Sequence, residues 1–110
     1  MKVLATPEVI DYLEDLTTIL YEEKYFGTEK YAQKHVNELI DDIKITLPTR
    51  LSKSAPEYFD KYGKNMFYAF FRKNKRTTWY VFFTKYEENG ETICLIRYIT
   101  NNHTDAQHLP

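Results

Sequence analysis

Apolar residues recur at helical spacing through the first half of the chain, in two stripes separated by Gly27. Both stripes have the three- and four-residue intervals of one α-helical face. Thr6 followed by Pro7 is typical of a helix start, and Thr28 is suited to cap the second helix, which Pro48 ends. The spacing therefore predicts an antiparallel pair of helices. The stripes are Val9, Leu13, Leu16 and Leu20, then Ala32, Val36, Leu39, Ile43 and Leu47.

The second half changes to stretches rich in aromatic and β-branched residues, which are typical of strands. They cover residues 66–71, 77–83 and 92–99, with turns at 73–75 and at 88–90, where Asn-Gly favours a hairpin. A short strand is predicted at residues 2–5, and a helical turn at 57–59 in the connector. The predicted order is β-α-α-β-β-β. We expect an α+β fold in which the helical hairpin packs on an antiparallel sheet.

Length and composition bound the domain count and the compartment. A chain of 110 residues is the size of one domain, and we assign residues 1–110 to it. One cysteine, Cys94, leaves no partner for an internal disulfide. The densest apolar run covers residues 66–71 and is too short to span a membrane, and the first residues do not resemble a signal peptide. We therefore expect a cytoplasmic protein without a membrane partner.

The formal net charge of −1 conceals a basic stretch. Residues 61–85 carry seven lysines and arginines and no acidic residue. Clustered cations attract polyanions, which favours contact with nucleic acid. The same charges would also keep the edges of a hairpin from pairing with other chains, so this pattern leaves both interpretations open.

Two groups of residues carry candidate chemistry. The first is the basic turn 72–76 beside Tyr68, Trp79 and Tyr80. Cations contact phosphates and rings stack on unpaired bases, although each of these rings could equally belong to the core. The second is Arg97, which lies in an apolar strand and needs a partner. Either a glutamate or a scissile phosphate would serve.

Metal and cofactor sites are not indicated. The three glycines are scattered, so no phosphate-binding loop is present. A cluster of His103, Asp105 and His108 could bind a metal, but histidines in a chain tail seldom do, and we expect neither metal nor cofactor.

The chain resembles the RelE/ParE superfamily of toxins from bacterial type II toxin–antitoxin systems. The resemblance rests on the element order, the aromatic strand 79–83, and the strand 96–99 with the polar tail 104–109. It implies a toxin that cleaves mRNA at the ribosome without a metal. A gyrase inhibitor that acts by binding, or a degenerate member that mainly binds its antitoxin, are the alternatives. A cognate antitoxin is the implied partner, with ribosome and mRNA or DNA gyrase as the target.

The resemblance also implies roles for individual residues. Arg72 and Arg97 would stabilise charge on the phosphate, and His103 would act as general acid or base. Two positions depart from the family pattern. Tyr80 stands where the family has a strand arginine, and residues 101–103 replace a His-Gly-Arg turn. The residues expected to hold the RNA backbone are Lys64, Lys73, Lys75 and Arg76.

Overall fold

Two helices form a hairpin at the start of the fold, as predicted. The computed structural model describes residues 1–109, except for the side chain of Ala106. Helix α1 covers Pro7–Glu22 and helix α2 covers Glu29–Thr46. The predicted caps are confirmed: Thr6 Oγ1 accepts from the Val9 amide at 3.4 Å, and Thr28 Oγ1 from the Tyr31 amide at 3.2 Å. Each cap satisfies an amide that the first helical turn leaves unpaired.

Five strands form one mixed sheet in the order β1-β5-β4-β3-β2. β1 pairs in parallel with β5, and the other neighbours are antiparallel. The predicted antiparallel sheet is therefore wrong at one edge, because the helices and the meander bring β5 back alongside β1 in the same direction. The strands are β1 Lys2–Ala5, β2 Lys53–Ser54, β3 Phe67–Arg72, β4 Thr78–Glu88 and β5 Glu91–Asn101.

The connector between α2 and β3 has more structure than predicted. It contains β2, two residues long, which adds a strand that the predicted order lacks. The predicted helical turn is confirmed and extends into a 3₁₀ helix over Glu57–Tyr62. Two further 3₁₀ turns lie at Leu47–Thr49 and Ala106–His108. Within residues 1–109, every helix is too short or too polar to span a bilayer.

The sheet has a core on each face. The helices cover one face, where Trp79, Val81 and Phe83 are fully buried. The 3₁₀ helix Glu57–Tyr62 and the C-terminal tail cover part of the other, where Phe59 stacks on Phe82 at 4.3 Å. Burial on both faces explains why the strands are apolar in continuous runs rather than in alternation.

A β-bulge in β5 sets the direction of its side chains. Phe82 pairs with Tyr98 and Phe83 pairs with Ile96, so Arg97 is the extra residue. An extra residue reverses the alternation of faces. Ile96 and Ile99 consequently both reach the helix-side core. A strict two-residue repeat could not place Arg97 because the repeat breaks at this residue.

Candidate functional site

The basic turn between β3 and β4 is closed by its own backbone and by Asn74. The Lys73 amide donates to the Thr77 carbonyl at 3.1 Å. Asn74 Oδ1 accepts from the amides of Arg76 and Thr77 at 2.8 and 2.9 Å. This fixed turn leaves the side chains of Lys75 and Arg76 exposed. The sequence therefore builds an ordered, positively charged end on the sheet.

The chain after β5 is fastened to this basic turn. Asn102 Oδ1 accepts from the Thr78 amide at 2.9 Å, and Asn102 Nδ2 donates to the Arg76 carbonyl at 2.9 Å. The His103 amide donates to Asn101 Oδ1 at 2.9 Å. Two consecutive asparagines thus position His103 beside the cations. Short polar side chains that bond to nearby backbone are typical of such turns.

The His103 ring is held on two sides and is exposed to solvent. It stacks on Tyr25, in the loop between the helices, with ring centroids 4.9 Å apart. Its Nε2 lies 3.5 Å from Thr77 Oγ1. An imidazole that is oriented yet accessible is placed to exchange a proton with a bound substrate. His103, Lys75 and Arg76 therefore share one end of the molecule.

Arg72 and Lys73 lie on opposite faces of the same hairpin. Arg72 is exposed on the face away from the helices, opposite Thr78. Thr78 also bonds to Asn102, so the backbone of Arg72 lies about 10 Å, or two strand spacings, from that of the His103 turn. Lys73 Nζ instead donates to Asp42 Oδ2 on α2 at 2.9 Å. Its charge is partly neutralised by that carboxylate.

Arg97 and Lys64 are remote from His103. Arg97 Nε donates to Thr84 Oγ1 at 3.2 Å. The Arg97 side chain lies over Gly63, so closely that a Cβ atom added to Gly63 would be 2.6 Å from Arg97 Cδ. In the described part of the chain, no carboxylate lies within 4.0 Å of the guanidinium. Lys64 follows Gly63. Arg97 is about 13 Å along β5 from Asn101. The predicted catalytic residues thus do not converge on one point.

Arg97 lines a cleft of about 660 Å³ between α1 and the last part of β5. β1 ends opposite Ile96, whereas β5 continues to Asn101, so residues 97–101 have no neighbouring strand on this side. Tyr12 contributes from α1, and burial, followed by the charge of Glu23, raises the pKa of Tyr12 to about 12. The cleft is therefore an opening beside a part of β5 that lacks a neighbouring strand, although Ile99, Thr100 and Asn101 are themselves buried.

The three residues considered as metal ligands, His103, Asp105 and His108, contact different partners. Tyr98 donates its hydroxyl to Asp105 Oδ2 at 2.6 Å, and the His108 ring stacks on Tyr58 at 3.5 Å. Burial, and then the hydrogen bond to Asp105, raise the pKa of Tyr98. Within residues 1–109, no group of three histidine, cysteine or acidic residues is placed to hold a metal ion.

The aromatic residues singled out beside the basic turn divide between core and surface. Trp79 and Tyr68 are buried, and Tyr80 is partly buried. The ring that is open to solvent is Phe70, half exposed on the same face as Arg72. The sequence did not single it out, because every residue from 66 to 71 is apolar and no polar position marks the outer face.

Comparisons with known proteins do not assign the chain to a family. No family model, curated protein sequence or solved structure matches it. The fold is α+β with helices on one face of a mixed five-stranded sheet.

Proposed function

We propose that this protein is the toxin of a bacterial type II toxin–antitoxin pair and cleaves translated mRNA at the ribosome. The observation that carries the proposal is the placement of His103 beside exposed cations at one end of the sheet. A proton-transfer group next to a phosphate-binding surface is what cleavage of RNA by its own 2′-hydroxyl requires. The resemblance to RelE/ParE toxins in the aromatic strand 79–83 and in the strand 96–99 with the polar tail 104–109 supports it.

The reaction is an internal transesterification of the RNA. The 2′ oxygen attacks phosphorus, the bond from phosphorus to the 5′ oxygen breaks, and one proton moves from the 2′ oxygen to the 5′ oxygen. The products carry a 2′,3′-cyclic phosphate and a 5′-hydroxyl. His103 would accept the proton from the 2′-hydroxyl or return it to the leaving oxygen. Arg76 and Lys75 would hold the flanking phosphates.

The two predicted catalytic arginines would contribute from farther away. Arg72 would meet the RNA on the face of the sheet turned away from the helices. Arg97 would contact the RNA only if the RNA chain ran along the cleft beside β5. We therefore assign His103 the chemistry and give the arginines roles in binding the RNA backbone.

The first test replaces His103 with alanine during induced expression in a bacterium. We expect the wild type to stop growth and cut messages within translated codons. We expect His103→Ala to reduce cutting by about 100-fold or more, as loss of a general acid or base does. The readout is growth together with mapping of 5′ ends on cellular mRNA.

His108→Ala is the matched control, because His108 lies in the same tail but stacks on Tyr58 away from the basic turn. It should cut messages as the wild type does. Undiminished cutting by a folded His103→Ala variant would show that His103 is not the catalytic group. Growth arrest with intact messages in the wild type would rule out the nuclease.

A gyrase inhibitor that acts by binding is the second candidate. The observation that favours it is the separation of Arg97 and Arg72 from His103, since an inhibitor needs no assembled catalytic centre. Double-strand breaks in DNA with intact messages would support this candidate. A degenerate member that only binds its antitoxin would not arrest bacterial growth.

The proposed antitoxin partner has a suitable place on the structure. Residues 97–100 have no neighbouring strand beside the cleft, so an extended antitoxin segment would add there as a further strand. The corresponding edge of β3 is already occupied, because Arg50 Nη1 donates to the Phe70 carbonyl at 3.2 Å. Exposed strand edges are usually protected in this way, so an open one is a natural site for a partner.

A further inference from the structure

The cleft between α1 and β5 has the size of a small-molecule site. Its volume of about 660 Å³ lies within the range of about 300–1,000 Å³ that is typical of ligand pockets. Its apolar walls include Ile19 and Leu20 of α1, and Tyr62 on the opposite side. Threonine side chains add hydrogen-bonding groups at three positions, Thr6, Thr100 and Thr104. The cleft therefore suits a ligand that has both apolar side groups and hydrogen-bonding groups.

Arg97 lies at one end of this cleft and is held in place by its own stem. Its Nε donates to Thr84 Oγ1 at 3.2 Å, and its Cδ packs over Gly63. Among residues 1–109, no carboxylate comes within 4.0 Å of its two terminal nitrogens. These nitrogens form a planar fork that matches the two oxygens of a carboxylate. Arg97 is thus placed to bind a carboxylate that the ligand supplies.

The other charges near Arg97 leave this end of the cleft positive. Lys61 lines the cleft and lies two residues before Gly63, over which Arg97 packs. Glu8 also lines the cleft, from the first turn of α1. Two cations and one carboxylate give a positive balance, so this end favours an anionic group on the ligand.

The opposite end of the cleft is acidic. Glu23 follows the last residue of α1 and lines the cleft. Tyr25, two residues later, stacks on His103, so Glu23 lies near the end of β5. In the part of the chain that the structure describes, no lysine or arginine lies within 4.0 Å of the Glu23 carboxylate. This end favours a cationic group on the ligand.

We propose that the cleft binds a short free peptide in extended form, with its C-terminal carboxylate on Arg97 and its N-terminal amine at Glu23. The two charged ends lie about 13 Å apart along β5, and an extended chain of about four residues spans that distance. Apolar side chains of the peptide would pack on Ile19, Leu20 and Tyr62. A single amino acid would be too short to contact both charged ends.

Isothermal titration calorimetry with the purified full chain tests the recognition of both ends. The probe is Ala-Val-Val-Ala with free termini, at neutral pH. We expect amidation of its C terminus to weaken binding about tenfold or more, because the charge-assisted bonds to Arg97 are lost. Acetylation of its N terminus should weaken binding about threefold, since Glu23 is exposed. Both comparisons change the ligand, so they do not depend on the folding of a variant.

Variants of the protein assign each effect to a side chain. Arg97→Gln should weaken binding of the free peptide as amidation does, and should abolish the difference between the free and amidated peptides. Lys85→Gln is the matched control, because Lys85 is an exposed cation next to Thr84 that does not line the cleft. Glu23→Gln should abolish the effect of acetylation, and Glu22→Gln, on the same helix, should not.

Three results would overturn the proposal. The first is equal affinity for the free and amidated peptides, or no binding of the free peptide at millimolar concentration. The second is equal binding of a longer peptide with both ends capped, because an internal segment would then occupy the cleft without a terminus on Arg97. The third is an equal loss of binding in Lys85→Gln and Arg97→Gln, which would indicate attraction to charge in general.

The peptide site does not depend on the nuclease, and the two proposals can fail separately. Peptide binding that requires Arg97 and a free carboxylate, in a protein that leaves messages intact, would retain the site and reject the nuclease. Message cutting that depends on His103, without peptide binding, would do the reverse. A bound peptide would occupy the place proposed for the antitoxin segment and compete with it, a consequence that rests on the proposed function.

Discussion

At the scale of single residues, His35 is a buried polar group that is hydrogen-bonded within the helix-side core. Its Nε2 accepts the Trp79 indole N–H at 3.0 Å, and its ring lies 4.9 Å from that of Phe26. Burial, and then the charge of Lys73, lower the pKa of His35 below its usual value of 6.5. The neutral ring is required, because a protonated Nε2 could not accept from Trp79.

This arrangement predicts a loss of stability in mild acid. Below about pH 6.5 the unfolded chain protonates His35 while the folded protein resists, so the free energy of unfolding falls until the pH passes the lowered folded pKa. His35→Leu should cost about 1–3 kcal/mol at pH 7.5, because the Trp79 N–H loses its partner. Urea unfolding at pH 7.5 and 5.5 measures both effects.

His35→Leu should also reduce the change in the free energy of unfolding between pH 7.5 and pH 5.5. His108→Gln should leave most of that change in place. The same slope in wild type and His35→Leu would mean that another group is responsible.

At the scale of elements, α2 is joined to the basic hairpin by one carboxylate. Asp42 accepts from Lys73 Nζ at 2.9 Å and lies 3.4 Å from Arg50 Nη2, whose guanidinium also stacks over Phe71. Burial alone would raise the pKa of Asp42, but Lys73 and Arg50 outweigh it and lower that pKa. The link fixes the hairpin that carries the proposed RNA-binding residues.

Asp42→Asn should therefore destabilise the fold by about 1–2 kcal/mol, since a partly exposed ion pair with charge-assisted hydrogen bonds contributes about that much. Asp42 stabilises the fold above its ordinary pKa of 3.8, and this contribution disappears as the pH falls through the lowered folded pKa. Thermal unfolding at pH 7 and 3 measures the change.

Asp41→Asn is the control, because Asp41 is the exposed neighbour of Asp42 on the same helix. It should unfold as the wild type does. Equal melting temperatures for Asp42→Asn and wild type at pH 7 would show that the ion pairs do not hold the hairpin.

The elements themselves were largely predictable, and the faces of the strands were not. The helices followed from the three- and four-residue spacing and the threonine caps, and β1 from a short apolar segment. The bulge at Arg97 and the parallel pairing of β1 depend on contacts between distant segments, which no local pattern records. His103 and Arg76 were both predicted as site residues, but their proximity depends on Asn102, whose side chain joins them.

At the scale of the whole molecule, basic and acidic side chains are concentrated in different parts of the fold. The basic turn, Arg72 and His103 gather at one end of the sheet, whereas the helices carry most of the acidic residues. Such an arrangement orients the molecule toward a polyanion despite a formal net charge of −1. The resemblance to RelE/ParE toxins implied an RNA target. The proposed RNA would bind at the end of the sheet where the basic turn and His103 lie.

The chemistry of the RNA ends is the sharpest test of cleavage by the 2′-hydroxyl with His103 as the proton-transfer group. Messages cut in bacteria that express the protein, or on purified ribosomes incubated with it, would be analysed for their terminal groups. We expect 2′,3′-cyclic phosphate and 5′-hydroxyl ends that appear with the wild type and are absent with His103→Ala. Ends carrying a 3′-hydroxyl and a 5′-phosphate, or uncut messages, would contradict it.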